Sequence, residues 1–453
     1  MASFINIRTL AEQLSNGEIS CEQLIQERLA IADNSSGVFV SIDNESLLNE
    51  AMIIDKARQS QPLPALAGVP ITLKDLYDVR GQKTLAASKV LANTAHEAKE
   101  DADMVAHLRK AGLLLFGRTN MSEFAFSGMG LNPHFPALYS VWDAANKRLP
   151  GGSSSGSAVS VAMGMVPGTL GSDTTGSCRI PAAFNGIVGM KPSRGRLSLK
   201  GVYPLSHSCD APGPLAVDVD SCFLLYQIMQ GQLLQIDRIE ALPTLQNASF
   251  DKLHLVIPQG IVMQDLDPEV EATFDKSIQR LEHAGVKITR QPIEAIERSV
   301  DMFYHRNTVI YEAWQLHRDL LTSHGDDYDP YVYQRIVSGK DISLEEQQSR
   351  YAEKADIIKH FNQTLKSLSI DALIYPTVPC IPPKVSETDD PDNIGKVNLR
   401  SLRNTASVNY VDGCAISLPC HQPGSTPVGL MLSSINGDDD RLLSIALSVE
   451  QII

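Results

Sequence analysis

The chain has no long hydrophobic run, no basic excess and no paired cysteine pattern, and each absence removes a class of function. No stretch approaches the roughly 20 consecutive apolar residues that a helix needs to span a bilayer. Lysine and arginine number 39 against 53 aspartates and glutamates, a formal net charge of −14. No Lys/Arg cluster interrupts that balance, so nucleic acid is not an expected direct ligand. The seven cysteines (21, 178, 209, 222, 380, 414 and 420) are odd in number and widely scattered. They read as reduced thiols of a cytoplasmic protein, not as a disulfide framework or a zinc site. Met1 to Leu10 has neither the charged start nor the apolar core of a secretory leader, so none is expected.

What is present is apolar content enough for a sizeable core, 43% of 453 residues against 20% charged. Leu10, Leu14, Leu24 and Leu29 fall at helical spacing, with Ser20 as cap of a second helix, and 45–59 predicts another. Leu66 to Asp75 reads as a strand whose alternation puts Thr72 and Lys74 on one face and Ile71 and Leu73 on the other. A helix over 101–111, a short strand over 113–117 and a buried helix over 158–166 follow. This alternation, continuing to about residue 225, predicts an α/β core. From about 265 to 370 the pattern turns helical, broken by a polar turn at His324–Pro330. Residues 371–379 and 427–432 read as strands, 384–398 as an exposed loop and 440–452 as a closing helix. No repeat or linker divides the chain. Residues 1–453 are expected to form one domain with a helical insertion at about 265–370.

The candidate chemistry lies in residues 148–195, where two glycine/serine loops, Gly151–Ser157 and Gly171–Ser177, flank an apolar helix. Glycines let backbone approach a ligand, and a helix start leaves N–H groups open. Nucleophilic hydrolysis needs a hydroxyl, a group to take its proton and donors for the developing oxyanion. Ser177 supplies the first, and the N–H groups of Thr174, Thr175, Gly176 and Ser177 are placed to converge on one oxygen. Ser153 and Lys74 are candidates for the second, because a buried amine loses basicity and can act near neutral pH. Two other motifs fit less well. Gly152-Ser-Ser154-Ser-Gly156 matches a nucleophile elbow with Ser154 at its centre. An elbow must follow a strand, however, and the approach here is polar and ends in Pro150; no later histidine stands out as its base. Neither glycine run ends in the Gly-Lys-Ser/Thr of a phosphate loop. His96-Glu97 lacks the second histidine of a zinc helix, since position 100 is glutamate, so no metal site is expected.

These blocks resemble the amidase signature enzymes. Gly151-Gly-Ser153-Ser-Ser-Gly-Ser157 is similar to the family's hallmark, as is Gly171-Ser-Asp-Thr-Thr-Gly-Ser177-Cys-Arg-Ile-Pro-Ala182, with the family's separation between its serines (177 − 153 = 24). Leu66–Asp75 resembles the lysine strand. Arg118–Glu123, Gly189–Pro192, Gly213–Ala216 and Pro427–Gly429 resemble further blocks, so the likeness runs over nearly the whole chain. It implies the amidase signature fold, a mixed central β-sheet sandwiched between helices. It also implies a Ser–cis-Ser–Lys triad of Ser177, Ser153 and Lys74, with Ser177 as nucleophile and Ser153 after a cis peptide bond. Asp173, Arg179 and Ser154 are implied as supports, and no metal or organic cofactor. Phe126, Ser127, Gly128 and Met129, with side chains near Tyr304, Tyr311 and Trp314, are expected to line the acyl pocket.

Three positions depart from the commonest signature. Thr175 and Ser155 replace glycines, and Cys178 stands where an aliphatic residue is frequent. Thr175 is expected to narrow the oxyanion pocket, and Cys178 to be a packed, inert thiol. The implied activity is cleavage of a carboxylic amide through an acyl-enzyme, releasing ammonia or an amine. Urea-like substrates such as allophanate or carboxybiuret fall within it, without the extra C-terminal domain of long allophanate hydrolases. The alternative is the glutaminase-type A subunit of a tRNA-dependent amidotransferase. Expected partners are a small-molecule amide and, at family level, a second copy in a homodimer; neither nucleic acid nor membrane is contacted directly.

Overall fold

The computed structural model describes residues 5–453. Its centre is one mixed sheet of eleven strands. In chain order these are β1 (Phe39–Ser41), β2 (Pro70–Lys74), β3 (Leu114–Thr119), β4 (Gly168–Asp173), β5 (Val188–Lys191) and β6 (Ala211–Ala216). There follow β7 (His254–Gln259), β8 (Lys287–Pro292), β9 (Ala372–Pro376), β10 (Cys414–Pro419) and β11 (Gly429–Ser434). The spatial order is β1-β3-β2-β4-β6-β5-β10-β11-β9-β7-β8. β2 runs parallel to β3 and β4, and β7 to β8 and β9, while the remaining pairs are antiparallel.

Helices flank the sheet, and the period-2 alternation of its strands separates two apolar layers. Along β9, Ala372 and Ile374 join one buried cluster and Leu373 and Tyr375 the other. β11 does the same, with Leu430 and Leu432 on one side and Met431 on the other. Strands buried on both faces read as continuous apolar runs, which is why these segments stand out in the sequence.

The early helices form where the spacing predicts them, at Ile7–Ser15, Cys21–Asp33 and Asn44–Arg58, and the Ser20 side chain caps the second by accepting from Gln23 N–H. Three expectations are corrected. The span read as helical from 265 to 370 contains β8, an edge strand parallel to β7. Lys287-Ile-Thr-Arg-Gln-Pro292 keeps only one neighbour, and its final proline is tolerated because an edge leaves some N–H positions unpaired. Residues 384–398, read as a loop, hold a short 3-10 turn and the start of a long helix, Pro391–Tyr410. Asp390 accepts from Asp392 N–H and Pro391 fills the first turn, where its missing N–H costs nothing. Finally, Gly171–Ser177 is a loop only in part, since its first three residues complete β4.

Candidate active site

β2 is buried at every position, with β3 on one side and β4 on the other. Thr72 and Lys74 share the face that looks onto the helix Ser155–Ala162, and Thr72 Oγ1 lies 3.1 Å from Ser160 Oγ. One step along the same face, Lys74 Nζ reaches Ser153 Oγ at 2.7 Å and Ser172 Oγ at 2.8 Å. The lysine side chain is wholly buried and forms no ion pair among the described residues. Burial therefore dominates its ionisation and pushes the amine down from 10.5 to about 7, against the opposing pull of Cys178, Asp173 and Asp210. A neutral amine can accept a proton. The strand end is held separately: Asp75 takes Arg118 Nε at 2.6 Å and Ala87 N–H at 2.9 Å.

Ser153 follows a cis peptide bond to Gly152. Gly152 is enclosed by Gly130 and the Ser122 hydroxyl, too close to admit a Cβ. Gly152 N–H donates to Gly128 O at 2.8 Å, and Ser122 N–H to Ser153 O at 3.1 Å, which fixes the turn. Ser154 opens the helix Ser155–Ala162, and its hydroxyl donates to Ser172 O at 3.3 Å. It is fully buried, and no strand precedes it after β3, so the strand–turn–helix elbow is not formed.

Ser177 lies on the loop after β4, only 2% exposed, and its carbonyl accepts from Ser154 N–H at 3.3 Å. The two glycine/serine loops thus touch. The Ser177 and Ser153 hydroxyls are not hydrogen-bonded to each other; the close side-chain contact is between Ser153 and Lys74. Asp173 braces the loop. Its Oδ1 accepts from Arg179 Nη2 at 2.9 Å, Gly176 N–H at 2.8 Å and Asn409 Nδ2 at 3.0 Å; its Oδ2 accepts from Arg179 Nε at 3.0 Å and Cys178 N–H at 3.1 Å. Both charged groups are wholly buried. Burial raises the Asp173 carboxyl, but the Arg179 charge and these donors outweigh it and hold the group at about 2.

This bracing corrects the expected oxyanion set. Gly176 N–H is engaged by Asp173 at 2.8 Å, in a turn whose φ of 137° suits glycine, so it is not an open donor for a substrate oxygen. The N–H groups of Thr174, Thr175 and Ser177 have no acceptor among the described residues. Thr175 is half-buried while its neighbours are buried, so it stands at the open side of the loop. Cys178 is inaccessible, its Sγ 3.6 Å from Gly213 O, and burial pushes the thiol far above its usual range.

The residues expected in the acyl pocket divide. Ser127 and Met129 line a cavity of about 470 Å³ with Asn132, Phe135, Leu138 and Tyr331. Lys74, Ser153 and Ser177 do not line it. Phe126 instead packs under the Arg335 guanidinium, 4.0 Å from its ring centre, and the Gly128 backbone is tied to Asn398 and Gly152. Tyr304 packs against Phe303 with tilted rings 5.4 Å apart, and neither it, Tyr311 nor Trp314 lines the cavity.

A family model described as Amidase matches residues 23–443. The chain belongs to the amidase signature family. It is therefore an amidase-type hydrolase, acting on carbon–nitrogen bonds. It is 30% identical over 398 residues to 2-amino-5-chloromuconic acid deaminase of Comamonas testosteroni, covering 87% of this chain and 84% of that protein. It is also 30% identical to the A subunit of glutamyl-tRNA(Gln) amidotransferase from Symbiobacterium thermophilum, over 100% of this chain and 96% of that one. A crystal structure of an amidase superposes with a TM-score of 0.86 at 29% identity, over 99% of each chain.

Four residues of this amidase's site are not singled out by the sequence. Ser172 is the second partner of Lys74, and the parallel register Thr72↔Thr169 and Leu73↔Leu170 is the signal that places it there. Thr405 and Asn409 come from the helix Pro391–Tyr410; Thr405 Oγ1 donates to Thr175 O at 2.8 Å, and Asn409 meets both Asp173 and Arg179. Asp210 accepts from the Thr174 hydroxyl at 2.6 Å. Buried polar residues along a helix are the one hint the sequence holds for the middle pair.

Proposed function

We propose that the chain hydrolyses a small carboxylic amide through an acyl-enzyme on Ser177, with Ser153 as proton relay and Lys74 as base. The observation that carries this is the 2.7 Å contact between Lys74 Nζ and Ser153 Oγ in a site where burial brings the amine to about 7. Ser177 Oγ attacks the carbonyl carbon, its proton passes to Ser153 Oγ, and the Ser153 proton passes to Lys74 Nζ. The negative charge arising on the carbonyl oxygen meets the open N–H groups of Thr174, Thr175 and Ser177. As the intermediate collapses, the C–N bond breaks and the proton returns from Lys74 through Ser153 to the leaving nitrogen. Water then attacks the acyl carbon by the same relay and frees Ser177. Substrate binding has to bring the Ser177 hydroxyl within reach of Ser153, as catalytic contacts in unliganded enzymes often tighten only in the complex.

Asp173 and Arg179 serve this reading by holding the nucleophile loop. Ser127 and Met129 supply part of an acyl pocket. In this reading the enzyme acts in the cytoplasm, which the seven buried free thiols support, pairs with a second copy at family level, and makes no direct contact with nucleic acid. The test is ammonia release by the purified chain against a panel of amides that includes allophanate, carboxybiuret and glutamine. Turnover of at least one, lost in Ser177→Ala, is the expected result; retention of turnover in Ser177→Ala refutes the assignment.

A second reading is favoured by the full-length likeness to one chain of a tRNA-dependent amidotransferase. In it the same chemistry releases ammonia from glutamine for a partner chain. Co-purification with a stoichiometric second protein, and glutamine as the only substrate, distinguishes it from a free-standing amidase.

A further inference from the structure

The tight loop Leu205–Asp210, just before β6, lies against the nucleophile loop and carries a carboxylate that the relay does not use. Asp210 Oδ2 accepts from the N–H groups of Leu205 and Ser206, both at 2.9 Å, which closes the loop on its own side chain. Asp210 Oδ1 accepts from Thr174 Oγ1 at 2.6 Å. Thr174 directly follows Asp173, and its N–H is the first of the three open amides. Two carboxylates therefore grip the nucleophile loop, Asp173 through the Gly176 and Cys178 amides and Asp210 through the Thr174 hydroxyl.

The loop that presents Asp210 is itself anchored. Glu312, on the helix Thr308–His324, accepts from the Ser206 hydroxyl and, at 3.3 Å, from Ser208 N–H. Tyr351 OH donates to its other oxygen at 2.6 Å, and Lys354 donates to Ser208 O at 2.5 Å and Asp412 at 2.7 Å. Burial raises the Asp210 carboxyl, the donors of Thr174, Ser206 and Leu205 lower it, and the Glu312 charge adds to the rise. Asp173 is neutralised by Arg179, Glu312 lies 3.4 Å from His207, and Lys354 is paired with Asp412. Asp210 forms no ion pair among the described residues.

We propose that Asp210 is a positioning residue of this site: it clamps the Thr174 hydroxyl and so aims the open amides of the nucleophile loop. The proposal rests on the relay above. Asp210→Asn tests it with little change of shape, because the amide oxygen can keep the two backbone N–H bonds while the amide nitrogen faces Thr174. The hydroxyl must then turn round. Thr174→Val removes the hydroxyl and keeps the Asp210 side chain.

The readout is the rate at which a fluorophosphonate phosphonylates Ser177 in the purified full chain, Ser177 Oγ displacing fluoride, followed from about pH 5.5 to 9. Wild type should be labelled with an acidic limb. In Asp210→Asn, where the side chain can still bond the turned hydroxyl, the plateau should fall less than in Thr174→Val. In Thr174→Val the plateau should fall about tenfold, the equivalent of one lost hydrogen bond of roughly 1.4 kcal/mol, with the limb unmoved. Thr174→Ser should restore the plateau. An unchanged plateau in Thr174→Val overturns the clamp, and that arm stands even if Asp210→Asn does not fold. Absence of labelling at Ser177 in wild type refutes the relay itself, a separate result.

Discussion

Lys74→Met asks whether the lysine is held neutral in the fold, and its answer appears in stability, without a substrate. An unfolded chain binds a proton on Lys74 below pH 10.5, whereas the folded chain does so only below about 7. The gap, 10.5 − 7 = 3.5 units, corresponds to roughly 5 kcal/mol at about 1.36 kcal/mol per unit. Methionine carries no such penalty but leaves the Ser153 and Ser172 hydroxyls without the amine, at about 1–3 kcal/mol each. These effects nearly offset, so the stability difference at one pH decides little. Its slope decides more. Between pH 10.5 and about 7 the unfolded state holds the extra proton, so wild type loses stability relative to Lys74→Met as pH falls, by about 1.4 kcal/mol per unit. Below about 7 both states are protonated and the difference is flat. Urea unfolding of the two proteins, followed by circular dichroism from about pH 6 to 9.5, measures it. Parallel stability curves above pH 7 would refute the reasoning, because they would mean that Lys74 keeps an ordinary ammonium inside the fold.

Asp173→Asn should destabilise the protein by about 3–5 kcal/mol, seen as a lower urea midpoint, because Arg179 is left buried without its anion; an unchanged midpoint would contradict the brace. Ser153→Ala should lower amide turnover by about a thousandfold or more and Ser172→Ala by about tenfold, since only the first removes a proton carrier. Equal losses would contradict the division of roles between the two hydroxyls near Lys74. Cys178 should resist iodoacetamide in the native protein and react only on unfolding, because burial keeps its thiol protonated. Rapid native modification, mapped by peptide mass, would show that it is not inert.

The parts of the site legible in the sequence are those whose signal is local. Lys74 stands out because it breaks an apolar strand by one residue, and the two serines because glycines crowd around them. Ser172 is hidden, since its role depends on the register between β2 and β4 and not on its neighbours in the chain. Asn409 and Thr405 come to Asp173 and Thr175 across more than 200 residues, a distance over which no spacing rule operates. The Gly176 amide is counted among the oxyanion donors for a related reason. A loop's sequence shows which N–H groups are free of regular structure, but a carboxylate three residues away, Asp173, claims this one. The segment 384–398 misleads through its Asp, Pro and Asn content. The same residue types cap and start a helix when followed by a buried face, here Val397, Ser401, Leu402 and Thr405.

The central claim is that the Ser177 hydroxyl is activated by a neutral lysine through a second serine. Its most direct measurement is mass-spectrometric mapping of the residue that a fluorophosphonate modifies, in wild type and in Lys74→Ala. The account predicts a single adduct on Ser177 in wild type, and in Lys74→Ala a rate lower by orders of magnitude that recovers in part at high pH. An adduct on Ser154, or undiminished labelling of Ser177 without Lys74, would contradict it.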